Sequence, residues 1–518
     1  MNRRNLMKLM LGSAGLMMTP LSFAVESLKR KELFVPPILE PSSNGTFVLN
    51  FQYGHKYFIA GKATKTLGFN GNYLGPVIRA KQGQDIKLNV NNNLKEDVTL
   101  HWHGLIIPGS LDGGPHQIIK PSKTWKVSLP IKQEASTCWY HPHIYPKTSE
   151  LVAKGLAGLF IIEDKNSDTL PLPKAWGIDD IPIIIQDRKF NDDGSFNYKL
   201  LDIPTVSTGY VGDKVLVNGD IYPEKEVPSG WIRFRVLNGS NARSYNVTIS
   251  DKRAFYVIAS DGGFLNSPVK VTELPILAGE RYEILISTKD KKSFDLMSLP
   301  FNQMGMTMAP FNKPYSIMSF IVNSNKAPGK LPQTLNSIPP ININSVKKNR
   351  MLTLGMDERL DSQAMMLMNK KMEPMKGMKI ADSPSENTMH KKSIMSNTQW
   401  LTQEELKVAN SINGRSFTMD HIEFTAKKGD YELWTISTGK DTMLHPFHAH
   451  GCQFRVISLN NESIPPYLTG WKDTVVVKGK TQILVKFSEL ADKNAPYMAH
   501  CHILEHEDTG MMTQFCVR

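Results

Sequence analysis

The stretch that most constrains this chain is His500-Cys501-His502, which runs on through His506 to Met511 as HCHILEHEDTGMM. A β-strand sends successive side chains to opposite faces. If this segment is extended, His500 and His502 share one face and Cys501 takes the other. One strand then serves two metal sites joined by covalent bonds only one residue long. Cys501, His506 and Met511 offer a thiolate, an imidazole and a thioether. With one more histidine, that is the ligand set of a blue copper site, in which a weak axial methionine tunes the potential.

The missing ligands are visible elsewhere. Ten of the 14 histidines fall in four clusters: His101/His103 in HWHG, His141/His143 in CWYHPH, His445/His448/His450 in HPFHAHG, and His500/His502/His506. Each H-x-H pair puts two imidazoles on one strand face. A single such pair is weak evidence, and a buried histidine is more often a satisfied core residue than a ligand. Four pairs with a cysteine set between two of the histidines are too many for core packing. Eight imidazoles exceed what one metal uses and suit about three, and His445 is left to complete the Cys501 set. Zinc has no redox chemistry, so it would not explain two sites joined through one strand. Copper at both ends makes that strand an electron path.

Taken in order, HWHG, HPH, HPFHAHG and HCHILEHEDTGMM resemble the four copper motifs of the multicopper oxidases, and the resemblance covers nearly the whole chain. Within that superfamily the chain most resembles the bacterial periplasmic copper efflux oxidases, which are cuprous oxidases with laccase-like activity. The resemblance implies an all-β fold of three cupredoxin-like Greek-key sandwiches and four copper ions. The type 1 copper would take His445, Cys501 and His506, with Met511 axial, and the type 2 copper His101 and His448. One type 3 copper would take His103, His141 and His502, and its partner His143, His450 and His500. No ligand is missing, which sets the chain apart from copper-free relatives that keep the fold and lose the histidines. Four coppers hold the four electrons that turn O2 into two waters. Asp112, in LDGGPH, and Glu507 match acidic residues that the family uses as proton donors. The plainer readings are a turn residue for Asp112 and a surface carboxylate for Glu507.

Ten methionines lie between Met351 and Met395, in a segment also rich in Lys, Ser and Asn. A methionine stripe usually means core packing, and Met365, Met368, Met372 and Met375 could share one face of a short helix. The polar company argues against a core. Thioethers are soft ligands that select Cu(I), so the segment reads as a Cu(I) collector or lid. By resemblance, Met356 and Asp361 in GMDERLD, with Asp441 and Met443 in KDTMLH, match the substrate-copper site of the efflux oxidases. This insertion carries one histidine, His390, where theirs carries several. The run Gln303 to Met308 reads as a loop packing device.

Seven short β-branched runs bounded by Gly, Pro and Asn, from FVLNFQY to QILVKFSEL, indicate sandwiches or barrels, and no long amphipathic helix is evident. Asn70-Gly71, Asn218-Gly219 and Asn413-Gly414 each precede an alternating strand, at spacings of 148 and 195 residues. The excess of 47 is the methionine-rich insertion, at about 356–398. The expected units are 25–167, 168–330 and 331–518, with the copper motifs in the first and third and the middle one a spacer.

Residues 1–24 read as a signal peptide: a basic start at Arg3, Arg4 and Lys8, a short apolar run, and Ser22-Phe23-Ala24 at the end. Arg3-Arg4 looks like a twin-arginine signal, so a periplasmic protein without a membrane span is expected. Net charge is +12. The lysines are dispersed without interleaved aromatics, which indicates solvated surface rather than nucleic-acid binding. The four cysteines are too few for a disulfide scaffold. Cys138 reads as a small buried hydrophobe, and a bridge between Cys452 and Cys516 stays open. The expected function is Cu(I) oxidation coupled to O2 reduction by a monomer, for copper tolerance. Phenol or Fe(II) oxidation is the alternative, and copper sequestration is the alternative of another class.

Overall fold

A computed structural model describes residues 30–372 and 399–518. The expected signal peptide, His390 and the methionines from Met375 to Met395 lie outside the described residues. All seven strand-like runs are strands, and six sheets fall along the chain in three pairs. The first pair is two four-stranded sheets, the second a seven- and a five-stranded sheet, and the third two five-stranded sheets. Each unit buries its own core. Phe51, Leu88 and Phe160 lie in the first, Ile183, Phe234 and Ile284 in the second, and Trp434, Phe447 and Val485 in the third.

The internal repeat has a physical basis at its three asparagines. Asn70, Asn218 and Asn413 all adopt positive φ, between 50° and 54°. That region is costly for most L-residues and tolerable for Asn. In each unit the Asn backbone N–H donates to the carbonyl of one residue on the unit's first long strand, and that residue's N–H donates to the Asn Oδ1. The partners are Asn50, Ile184 and Thr353. The first long strand then pairs parallel with a later strand of its unit: Phe47–Ile59 with Asp85–Asn92, Asp180–Arg188 with Trp231–Asn238, and Val346–Met356 with Tyr431–Ser437. A parallel neighbour demands a crossover connection, and the asparagine closes the tight return that begins it.

Among the described residues the longest helix is Leu360–Met372, at 13 residues. Its Leu360 and Ala364 are buried, and Leu360 packs with Val206 of a short middle-unit helix, Ile203–Thr208. Met365 is half exposed. No helix among the described residues is long and apolar enough to cross a membrane. Cys452 and Cys516 are separate buried thiols on opposite sheets of the third unit, so the bridge left open by the sequence is absent.

Asn218 is buried, and its amide also donates to the carbonyls of Phe34 and Pro182. Asn218→Gly should lower unfolding stability by about 2–3 kcal/mol through lost buried hydrogen bonds. Asn218→Ala should cost about 1 kcal/mol more, because Cβ disfavours positive φ. Chemical denaturation of both variants checks the order. Equal losses would remove backbone strain from the account.

Candidate metal centre

The strand Tyr497–Cys501 lies between Met512–Val517 and His445–Ala449, with His448 opposite His500 and Phe447 opposite Cys501. In the first unit, His101–His103 pairs with Ser136–His141 so that His101 faces His141. These two sheets meet face to face through their imidazoles. His101 stacks on His450 and His103 on His448, each at 3.7 Å between ring centroids. Asp473 touches both rings of the second pair, His103 through its carboxylate and His448 through its carbonyl.

The two sides of the His500-Cys501-His502 stretch serve two donor sets. On one side, the Cys501 Sγ lies 3.5 Å from His445 Nδ1 and 3.7 Å from His506 Nδ1. Met511 is buried beside them, its N–H donating to the His506 carbonyl and its carbonyl accepting from the Cys501 N–H. On the other side, His500 Nε2 lies 3.2 Å from both His143 Nε2 and His450 Nε2. His502 lies 5.0 Å from His103 and 5.7 Å from His141, ring to ring. His101 and His448 complete this second set, 5.8 Å apart. All the sequence-selected imidazoles therefore meet in two places, one residue apart along the chain.

Copper fits these residues. His101 Nε2, His103 Nδ1, His141 Nε2, His448 Nε2 and both ring nitrogens of His502 are buried without a hydrogen-bond partner. Each such group costs about 1–3 kcal/mol unless something binds it. Three nitrogens held about 2.0 Å from one tetrahedral ion are separated by about 3.3 Å, close to the spacing of His143, His450 and His500. The opposite nitrogens are held firmly, as orienting partners of metal-bound histidines are. His101 and His448 use Nδ1 on the carbonyls of Asp112 and Asp473, and His141 uses Nδ1 on that of Pro142. His445 and His506 use Nε2 on the Asp441 carboxylate and the Ser207 carbonyl. A thiolate with imidazoles, beside an imidazole-only set, suits copper redox chemistry.

Burial pushes the Cys501 thiol well above its ordinary value, so a bound cation is what would ionise it. His103, Asp473 and His448 also lie within ligand reach of one another. That carboxylate is already spent: Arg281 holds both its oxygens, and His103 and Thr474 donate to one of them. Neither Asp473 nor Arg281 carries a local motif, because they meet across 192 residues of chain.

Asp112 caps a short turn at Gly109–Leu111 and also enters the site, its Oδ2 2.7 Å from His450 Nδ1. Asp112 is thus both a turn residue and a neighbour of the imidazole set. Glu507 is fully buried, 3.4 Å from His143 Nδ1 and 3.2 Å from His500 Nδ1, which rules out a surface carboxylate. Burial, with Asp508 nearby, raises its carboxyl well above the ordinary range.

The four residues matched to a substrate-copper site gather outside the Cys501 set. Asp441 Oδ2 accepts from His445 Nε2 at 2.7 Å, and Asp441 Oδ1 accepts from the Met443 N–H. Burial would raise the Asp441 carboxyl, but the hydrogen bond and charge of His445 outweigh it and hold it low. Asp361, at the start of Leu360–Met372, accepts from the Ser207 hydroxyl, and burial with the Asp441 charge raises its carboxyl. Met443 and Met356 pack against one apolar cluster. Of the middle-unit run, Met306 is buried with its sulfur accepting from the Ser244 N–H. Met308 instead lines a cavity of about 330 Å³ with Met368.

Models of the multicopper oxidase family match residues 50–167, 181–317 and 381–518. The chain belongs to the multicopper oxidase family. It is 35% identical over 500 residues to the multicopper oxidase mco of Staphylococcus aureus, covering 94% of this chain and 93% of that protein. It is 33% identical over 509 residues to the cell division protein FtsP of Xenorhabdus nematophila, covering 96% and 95%. The laccase-like multi-copper oxidase CueO of Ochrobactrum sp. superposes with a TM-score of 0.79 at 37% identity, covering 94% of this chain and all of that one.

Burial holds eight imidazoles of these sets below their ordinary value: His103, His141, His143, His448, His450, His500, His502 and His506. Such a group binds fewer protons folded than unfolded. Its stabilising contribution is complete above about pH 6.5 and is lost as pH falls below that. Asp179, Glu280, Asp361, Glu505, Glu507 and Asp508 are raised and act oppositely, losing stability as pH rises above about 4. The eight fully buried imidazoles outweigh these six carboxyls, of which Asp361 is only partly buried. Metal-free protein should therefore lose urea stability between about pH 7 and about pH 5. A midpoint that holds or rises on acidification would show that the buried imidazoles are not neutral.

Proposed function

We propose that this protein is an exported, periplasmic Cu(I) oxidase that reduces O2 to water and so contributes to copper tolerance. The observation that carries this reading is Asp441, whose carboxylate touches both the Met443 backbone and His445 Nε2. Two thioethers and two carboxylates thereby border the imidazole edge of the Cys501 set. Thioethers favour Cu(I), whereas a harder ion such as Fe(II) favours carboxylates. Export is supported by the basic, apolar and small-residue pattern of residues 1–24.

One copper would be held by His445, Cys501, His506 and Met511. Three more would be held by His101 with His448, by His103, His141 and His502, and by His143, His450 and His500. Copper so bound supplies one-electron transfer from substrate and four-electron reduction of O2. The chain does the rest. Asp441 fixes His445 and offers a carboxylate to substrate Cu(I). The His500-Cys501-His502 strand joins the two donor sets without a gap. Glu507, whose carboxyl burial raises, would store a proton beside His143 and His500, and Asp112 orients His450. The helix Leu360–Met372 and the short middle-unit helix cover the His445 side and limit access by bulky donors.

Two other readings remain tied to particular observations. The Ochrobactrum relative is described as acting on lignin model compounds, which favours a phenol oxidase. The relatives named for cell division favour a role in that process, and the partnerless buried nitrogens favour a metal-binding protein over a purely structural one.

Oxygen uptake by copper-loaded protein, supplied with Cu(I) in a competing chelator, tests the proposal. We expect about four Cu(I) consumed per O2, as electron balance requires. The Met356→Leu/Asp361→Asn double variant should lose at least about tenfold in Cu(I) turnover, a difference of about 1.4 kcal/mol, and keep phenol turnover. Asp441 stays in place because it holds His445. Equal Cu(I) rates in both proteins, or brisk turnover of phenols alone, would overturn the reading in favour of a laccase. For the proton store, Glu507→Gln should slow O2 reduction by about a hundredfold while reduction of the blue site by substrate is unchanged. An unaltered O2 rate would remove Glu507 from proton delivery.

A further inference from the structure

The middle unit carries none of the histidines discussed above, and as a spacer it would need only to hold its neighbours apart. One of its residues does more. Arg281 is fully buried where the three units meet. Its guanidinium has five N–H donors, and all five are used. Nε donates to the Thr137 carbonyl of the first unit at 3.0 Å. The two terminal nitrogens each donate to one oxygen of Asp473 in the third unit, both at 2.6 Å, and to the Gly279 and Asp261 carbonyls.

Asp473 passes this constraint on. As an ionised carboxylate it only accepts hydrogen bonds, so His103, 3.0 Å away through Nε2, must carry its proton there. That leaves His103 Nδ1 as the free nitrogen, and it is among the buried atoms without a partner. The Asp473 carbonyl lies 2.8 Å from His448 Nδ1 and can only accept, so His448 carries its proton on Nδ1 and frees Nε2. One residue thus sets two different tautomers on two stacked rings from different units. The middle unit also touches His502 directly: a Cβ at Gly279 would fall 2.8 Å from that ring.

We propose that Arg281 is a positioning residue for the imidazole-only metal site. By gripping both oxygens of Asp473, it fixes the opposite tautomers of His103 and His448, so that their free nitrogens face bound copper. This rests on the ligand assignment given under the proposed function. The middle unit is on this account part of the metal-binding device.

Two measurements test it. Nitrogen NMR of the metal-free protein, with each signal assigned by histidine substitution, should show His103 protonated on Nε2 and His448 on Nδ1. In Arg281→Lys, which keeps the charge but loses the fork, His103 should show mixed tautomers. Copper loading is then followed in wild type, Arg281→Lys and Asp473→Asn. The blue thiolate absorption should be retained in all three, because that site uses none of these residues. Affinity for the remaining copper should fall about 10–100-fold in the variants, with an altered paramagnetic resonance of the non-blue copper and a smaller loss in Arg281→Lys than in Asp473→Asn. A His103 proton on Nδ1 in wild type, or full copper and an unchanged non-blue signal in both variants, would overturn the inference. If Asp473→Asn fails to fold, the wild-type tautomers and Arg281→Lys decide. A wild type that binds no copper would instead overturn the ligand assignment itself.

Discussion

The structure depends on the burial of neutral imidazoles between its first and third units. Removing a histidine from water disfavours its charged form, and a stacked ring at 3.7 Å disfavours it further, as His448 does for His103 and His101 does for His450. Neutral rings still need hydrogen-bond partners, and each has one donor and one acceptor nitrogen. Where one nitrogen is turned to a carbonyl or carboxylate, the other is left to a metal. The folded chain therefore carries a standing cost that copper relieves, so binding and folding are coupled.

Placement of the acidic groups follows from the same constraint. Asp112, Glu507 and Asp473 are all buried against imidazoles, yet their surroundings differ. Asp473 has a guanidinium on both oxygens and is held well below the carboxylate range despite burial. Glu507 has no cation against it, and burial with Asp508 nearby raises its carboxyl well above the ordinary range. One carboxylate is a fixed acceptor, and the other is the one whose charged form the fold disfavours. Residue type does not distinguish them; the neighbouring charge does.

On the Cys501 side of the strand Tyr497–Cys501, the His445–Asp441 contact ties the Cys501 set to the Met443 segment. Ser207 adds a second tie, its hydroxyl on Asp361 and its carbonyl accepting from His506. The middle unit therefore meets both donor sets, with Ser207 at one and Arg281 at the other. Its apolar strands build a sandwich of their own, and its polar ends do the work at the two sites.

Much of this was legible in the sequence because it depends on local periodicity. The period of two in HWH, HPH, HAH and HCH puts paired imidazoles on one face wherever those segments are strands, and Cys501 on the other. The Asn-Gly dipeptides marked three repeats because Asn tolerates positive φ. The tertiary structure alone decided what depends on distant charge. Arg281 and Asp473 are unremarkable in the chain, separated by 192 residues, and they meet only because three sandwiches pack around one point. It likewise placed Glu507 in the interior and parted Cys452 from Cys516, since burial and sheet membership are properties of the packed units. The sequence by itself determined the donor atoms and their alternation. Which nitrogen of each ring faces inward was decided by the packing, because a tautomer is fixed by the partner that the fold brings to the other side.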